Sequence, residues 1–141
     1  MKAAIALVIV LTLFGCSADD LTGPGETGRT LLPAPEGEPR VIVNVVDEAG
    51  QPFRPDQAWW YYAPNEQGQT DEYEARCVNA DCTRWAVTGA SDGRVYVAAS
   101  YQREHSDPYC LFGGYDAMPV ELEAGAVPEV MLRLEEAEMC E

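Results

Sequence analysis

The chain has 141 residues, of which 24 are acidic and nine are basic, so its formal net charge is −15 at neutral pH. A surface this acidic repels nucleic acid and anionic lipid headgroups, which argues against both as partners. His105 is the only histidine. Active sites that require two or more histidines therefore cannot be assembled.

The N-terminal segment is typical of an export signal. Lys2 provides a positive start, and residues 3–14 are uncharged and, apart from Thr12, apolar. A run of this length fits the apolar part of a signal peptide, which spans about 7–15 residues. A helix that crosses a bilayer needs about 20. We therefore predict a signal peptide over residues 1–15.

The segment Leu13-Phe14-Gly15-Cys16 resembles the lipobox of bacterial lipoproteins. The resemblance implies that Cys16 becomes the first residue of the mature chain and carries the acyl chains that hold it in a cell-envelope membrane. Ser17 follows the cysteine, which resembles lipoproteins sorted to the outer membrane. The alternative is cleavage after Ala18, which would release a soluble secreted or periplasmic protein.

Four cysteines remain once Cys16 is set aside: Cys77, Cys82, Cys110 and Cys140. An even number is typical of disulfides in an oxidising compartment. Three pairings are open. We favour Cys77 with Cys82 across a tight turn, and Cys110 with Cys140. A four-cysteine zinc site is disfavoured because the spacing lacks the paired knuckles of such sites, so we predict no metal and no cofactor.

Proline and glycine are dense between the lipidation site and the first strand. Residues 16–39 are therefore expected to form a flexible, disordered linker. The folded domain is predicted over residues 40–141, because from Arg40 onward apolar and polar residues alternate with a period of two. Seven short strands follow, with turn residues between them: near 40–46, 58–63, 72–78, 83–87, 94–100, 118–122 and 130–134. This pattern predicts an all-β sandwich.

Two turn motifs carry a further resemblance. Residues 43–52 (VNVVDEAGQP) and 88–97 (TGASDGRVYV) resemble the carboxypeptidase regulatory-like domain, in which a strand ends in a D-x-x-G-x-P turn and a later D-G turn opens another strand. The resemblance covers residues 40–136. It implies a transthyretin-like fold, a seven-stranded antiparallel Greek-key sandwich. Because that domain is an accessory module in unrelated proteins, the resemblance does not imply an activity.

Catalysis is not expected. Hydroxyisourate hydrolases and intradiol dioxygenases also use transthyretin-like sandwiches, but both need more than one histidine. His105 lies in a polar stretch, where a solvated side chain is the expected interpretation. We therefore predict that the protein is not an enzyme.

Aromatic residues are the candidate ligand-binding groups. Residues 59–62 (WWYY) follow one another on a predicted strand, so two of them must face away from the core. The candidates are Trp59, Tyr61, Tyr101 and Tyr115, of which Tyr101 and Tyr115 fall in a predicted long loop. Trp85 and Tyr96 are expected in the core. The alternative, which we favour, is that the long loops fold over the second face of the sandwich and bury these rings.

Together these patterns predict a lipid-anchored protein of the cell envelope. Its partners would be the membrane, through the acyl chains on Cys16, and an envelope protein or a glycan. The β-sandwich would act as a non-catalytic protein-interaction or structural module. The alternative is a carbohydrate-binding module that uses exposed Trp and Tyr side chains.

Overall fold

A computed structural model describes residues 30–141, which form two packed β-sheets. The predicted signal peptide, the lipidation site Cys16 and linker residues 16–29 lie outside the described residues. None of the described residues belongs to a helix long and apolar enough to cross a membrane. In chain order the strands are β1 (Pro39–Val46), β2 (Gln57–Tyr62), β3 (Glu72–Glu74), β4 (Arg76–Cys77), β5 (Arg84–Thr88), β6 (Gly93–Glu104), β7 (Cys110–Leu122), β8 (Glu129–Arg133) and β9 (Ala137–Cys140).

The four-stranded sheet has the order β4-β5-β1-β8. Strand β1 lies between β5 and β8, and its Val41, Val43 and Val45 side chains point toward the core, where they are at most 2% exposed. β1 pairs antiparallel with β5 but parallel with β8. The described residues therefore contain nine strands and one parallel pair, where the sequence predicted seven antiparallel strands. An all-β sandwich is confirmed.

The five-stranded sheet has the order β3-β2-β6-β7-β9. Its main feature is the hairpin of β6 and β7, which pair residue by residue from Gly93–Leu122 to Glu104–Leu111. The long loop predicted around Tyr101 to Tyr115 is only the short turn 105–109, because residues 101–104 continue β6 and residues 110–115 belong to β7. β9 pairs with the beginning of β7 and had no counterpart among the predicted strands.

The core lies between the two sheets. Its largest fully buried side chains are those of Trp60, Leu132 and Leu134, which are at most 1% exposed. Trp85 packs against the core as expected, and its indole N–H donates to the Cys82 carbonyl at 2.9 Å. The tight turn that contains Cys82 is thereby fastened to the sandwich.

Residues 31–38, which we call the strap, run along both sheets. Leu32 joins the free edge of β3 through hydrogen bonds from its N–H to the Glu72 carbonyl and from the Glu74 N–H to its own carbonyl, both 2.8 Å. Farther along, the Thr88 hydroxyl donates to the Pro35 carbonyl at 2.5 Å. These residues were predicted to belong to the flexible linker. They instead cover an exposed sheet edge, which otherwise invites pairing with another chain.

Candidate functional site

Aromatic side chains gather on the outer face of the five-stranded sheet. Successive side chains of a strand point to opposite faces, and Trp60 points into the core, so Trp59 and Tyr61 point outward. Tyr61 is opposite Tyr96 on β6, and Ser100 of β6 is opposite Tyr115 on β7. Tyr96 and Tyr115 therefore share the outer face with the β2 pair.

The rings on this face contact one another. Tyr61 and Tyr96 are stacked, with centroids 5.3 Å apart and planes 11° from parallel. The Trp59 and Tyr115 centroids are 5.9 Å apart. Tyr115 also lies close enough to Tyr61 to help raise the pKa of the Tyr61 hydroxyl. We call Trp59, Tyr61, Tyr96 and Tyr115 the aromatic face.

The four rings differ in accessibility. Trp59 is only 2% exposed, whereas Tyr115 is 56% exposed. Tyr61 and Tyr96 are half-buried. Tyr115 is therefore the ring most available to a partner, and Trp59 supports it from below. Truncating Trp59 would disturb packing as well as any binding.

Two carboxylates of β3 flank the aromatic face. Glu74 is opposite Trp59 and Glu72 is opposite Tyr61, so both point outward. The pKa of Tyr61 is raised above the ordinary value of a tyrosine, chiefly by burial, with smaller contributions from Tyr115 and from the charge of Glu72. The Tyr61 hydroxyl therefore remains protonated at neutral pH. The face presents neutral rings beside carboxylates.

Tyr101 was also predicted as a ligand-binding candidate, but it is not part of the aromatic face. It points into the sandwich, where it is 6% exposed, and its ring lies 4.8 Å from that of Phe53. Its hydroxyl donates to Glu136 at 3.2 Å, and burial followed by the Glu136 charge raises its pKa. Tyr101 is a core residue of the β6–β7 hairpin.

Tyr96 is the member of the face that the sequence interpretation missed, since it was expected in the core. The signal was present in the alternation of β6. Val95 and Val97 are buried at 0% and 1% exposure, so the residue between them must point to the opposite side of the sheet.

Both disulfides lie away from the aromatic residues of β2. Cys77 is bonded to Cys82 and Cys110 to Cys140, with Cα atoms 5.1 and 4.1 Å apart. This is the pairing that the sequence favoured. The first disulfide closes the turn between β4 and β5, and the second fastens β9 to the start of β7.

Comparisons with protein-family models, with curated proteins and with solved structures found no match.

Proposed function

We propose that this protein is a lipid-anchored binding module of the cell envelope, and that its aromatic face holds a basic segment of a partner protein. The lipobox-like sequence that ends at Cys16 supports the location and the anchor. Two disulfides on the folded domain support an oxidising compartment. The sandwich would serve as a non-catalytic scaffold for the face.

One observation carries the binding role. Tyr115 is more than half exposed, yet its ring packs beside the buried ring of Trp59, with centroids 5.9 Å apart. Large aromatic side chains usually turn their rings inward, and a rigid, outward-facing ring loses little conformational entropy when it binds. Tyrosine and tryptophan are enriched among the residues that dominate binding energies at interfaces.

The charges around the face favour a cationic partner. Glu72 and Glu74 lie beside the rings, and a lysine or arginine side chain can contact an aromatic face and a carboxylate together. The net charge of the chain also steers a basic partner toward it.

A carbohydrate ligand is the second candidate. An exposed ring beside hydroxyl and carboxylate groups provides the stacking surface and the hydrogen bonds that sugars use. The Tyr115 ring with the neighbouring Tyr61 hydroxyl has this combination. The surplus of negative charge would contribute nothing to the binding of a neutral glycan, which is why we rank this candidate second.

The proposal can be tested by measuring which ligands bind to the oxidised mature chain. The chain would carry Cys16→Ser, which removes the lipid site. Labelled peptides rich in arginine or lysine, matched acidic peptides and a glycan array would be compared. We expect the basic peptides to bind, and Tyr115→Ala to weaken them by about tenfold or more. Tyr109→Ala is the matched control, because Tyr109 is 72% exposed but lies at the far end of the hairpin.

Two results would overturn the proposal. One is that no basic peptide binds, and the other is that Tyr115→Ala and Tyr109→Ala bind equally well. Glycan binding that depends on Tyr115 while the peptides fail to bind would establish the second candidate instead.

A further inference from the structure

The end of the β6–β7 hairpin brings four metal-ligating side chains together. His105 lies in the turn between the strands, and Cys110 opens β7. β9 runs antiparallel to β7 with Cys140 directly opposite Cys110, and Glu138 is two residues before Cys140. We call His105, Cys110, Glu138 and Cys140 the four-donor cluster.

The donor atoms are close to one another. His105 Nε2 is 2.9 Å from Glu138 Oε1, and the same oxygen is 3.8 Å from Cys140 Sγ. The ligand atoms of His105, Cys110 and Glu138 all lie within 4.8 Å of one another. Ligands of a tetrahedral zinc ion stand about 2.0–2.3 Å from the metal, and therefore roughly 3.3–3.8 Å from each other. Small side-chain movements would bring the four donors to those distances.

The architecture also resembles a metal site in how it supplies its ligands. His105 and Cys110 come from the hairpin, and Glu138 and Cys140 come from β9, so each pair is held by a separate segment of the chain. The His105 ring packs on Phe112 with centroids 4.4 Å apart, and its side chain is only 13% exposed. The imidazole is therefore already held in place before any metal binds.

The other disulfide has no comparable surroundings. Cys77 Sγ lies 2.9 Å from the backbone carbonyl of Asn79. Within residues 30–141, the only group of three or more histidine, cysteine or acidic ligands is the one that contains His105, Cys110 and Glu138. The chain thus carries an internal control: two disulfides, of which one is flanked by additional donors.

We propose that the four-donor cluster, with its disulfide reduced to two thiols, binds a divalent metal ion of the zinc type and releases it when the disulfide forms. Binding displaces the two thiol protons, so that Cys110 and Cys140 ligate as thiolates together with His105 and Glu138. Two soft sulfur donors, one imidazole and one carboxylate match the ligand preferences of zinc.

The tautomer of His105 changes on binding. Asp107 N–H now donates to Nδ1 at 2.8 Å, so Nε2 carries the proton that faces Glu138. A metal at Nε2 requires that proton to move to Nδ1, and the hydrogen bond from Asp107 is then lost. The exchange gives up one hydrogen bond in an exposed turn and gains a metal–nitrogen bond.

Release of the metal is a balanced two-electron oxidation. The two thiolates form the Cys110–Cys140 bond and give two electrons to an external disulfide of a thiol oxidant, which leaves as two thiolates. The metal ion keeps its charge and departs, because a disulfide sulfur is a poor ligand. The disulfide-bonded structure is the released state in this scheme.

Cobalt(II) is the probe for the test, since thiolate-bound tetrahedral cobalt is coloured. The mature chain carrying Cys16→Ser would be reduced without oxygen and titrated, followed by competition with zinc. We expect one cobalt per reduced chain and at least about 100-fold weaker binding after oxidation. Cys77→Ser/Cys82→Ser should retain the site, whereas Cys110→Ser/Cys140→Ser should lose the thiolate colour, and His105→Gln should weaken binding by about tenfold or more.

Each result of these experiments either supports or contradicts the proposal. The proposal fails if the reduced chain binds no cobalt, if Cys77 and Cys82 provide the colour, or if His105→Gln binds as tightly as the parent. Circular dichroism monitors folding during the titration. If reduction unfolds the chain and cobalt does not restore the strand signal, the proposal fails as well. His105→Gln leaves both disulfides intact, so its fold can be verified in the oxidised state first.

Discussion

Replacing Asp116 should loosen the seam between the two sheets. Asp116 lies on β7 of the five-stranded sheet, next to Tyr115. Its Oδ2 accepts from the backbone N–H of Arg133, on β8 of the other sheet, at 3.1 Å. Its Oδ1 accepts from the N–H of Ala117 at 2.9 Å. One carboxylate therefore accepts from a backbone N–H on β7 and from another on β8. It links the two sheets at a place where no backbone hydrogen bonds between strands join them.

The magnitude follows from these two bonds. A hydrogen bond to a charged group contributes about 1.5–3 kcal/mol when buried. Asp116 is only half-buried, and the Ala117 bond is local, so we take about 1 kcal/mol for each. Asp116→Ala should lower the free energy of unfolding by about 2 kcal/mol, and Asp116→Asn by about 1 kcal/mol because its amide retains one acceptor.

Urea denaturation of the oxidised chain measures both values, and the slope of the transition should not change. Asp92→Ala is the control: Asp92 pairs with Arg40 at the surface, and such pairs contribute about 0–1 kcal/mol. If Asp116→Ala costs no more than Asp92→Ala, the carboxylate does not fasten the sheets and our description of this seam is wrong.

Three further predictions concern the core, the pH response and the anchor. Gly114→Ala would place a Cβ 2.4 Å from Tyr101 Cε1 and 2.9 Å from the Glu135 carbonyl oxygen. We therefore expect the free energy of unfolding, measured by urea denaturation, to fall by about 1–3 kcal/mol. A variant as stable as the parent would contradict this close packing. Because the folded state raises the pKa of Tyr101, that side chain contributes stability below the ordinary tyrosine pKa of about 10 and loses it as the pH rises above that value. Stability measured from about pH 8 to about pH 11 should therefore fall less in Tyr101→Phe than in the parent, and equal slopes would refute the assignment. Cys16→Ser should abolish acyl labelling and membrane retention while the far-ultraviolet spectrum of the domain is unchanged, and a wild-type chain that carries no acyl label would exclude the anchor.

Strands with one buried face were predictable. In β1, Val41, Val43 and Val45 occupy every second position, with the polar Arg40 and Asn44 on the opposite face, and this period of two places the three valines in the core. The turn after β1 was also predictable. The Asp47 carboxylate accepts from the N–H groups of Ala49 and Gln51, and Gly50 adopts a φ of +79°. Local hydrogen bonding of this kind can be predicted from the residue types alone.

Other features depend on tertiary contacts that local patterns do not carry. Residues 102–104 of β6 (QRE) are polar because they lie in the part of the hairpin beyond the core, so a strand was mistaken for a loop. All four residues of β9 are exposed, and a strand without a buried face has no alternation to detect. The strap is similar: its prolines predicted disorder, but its backbone binds a sheet edge that only the folded domain provides.

The aromatic face was partly predictable from the alternation of side chains along β2. Four consecutive aromatic residues on β2 required that two of them point outward, and the structure shows that these are Trp59 and Tyr61. Their grouping with Tyr115 depended on the hairpin register, which the assumed loop concealed. Tyr101 was assigned to the wrong environment by the same error, because as a strand residue it points to the core.

Site-specific photo-crosslinking in living cells tests the proposed binding face most directly. A photoreactive phenylalanine analogue would replace Tyr115 in one strain and Tyr109 in another, both exposed but at separate places on the domain. Our account predicts a discrete adduct from position 115, carrying a basic protein segment, and none of that mass from position 109. No adduct from position 115, or the same adducts from both positions, would contradict it.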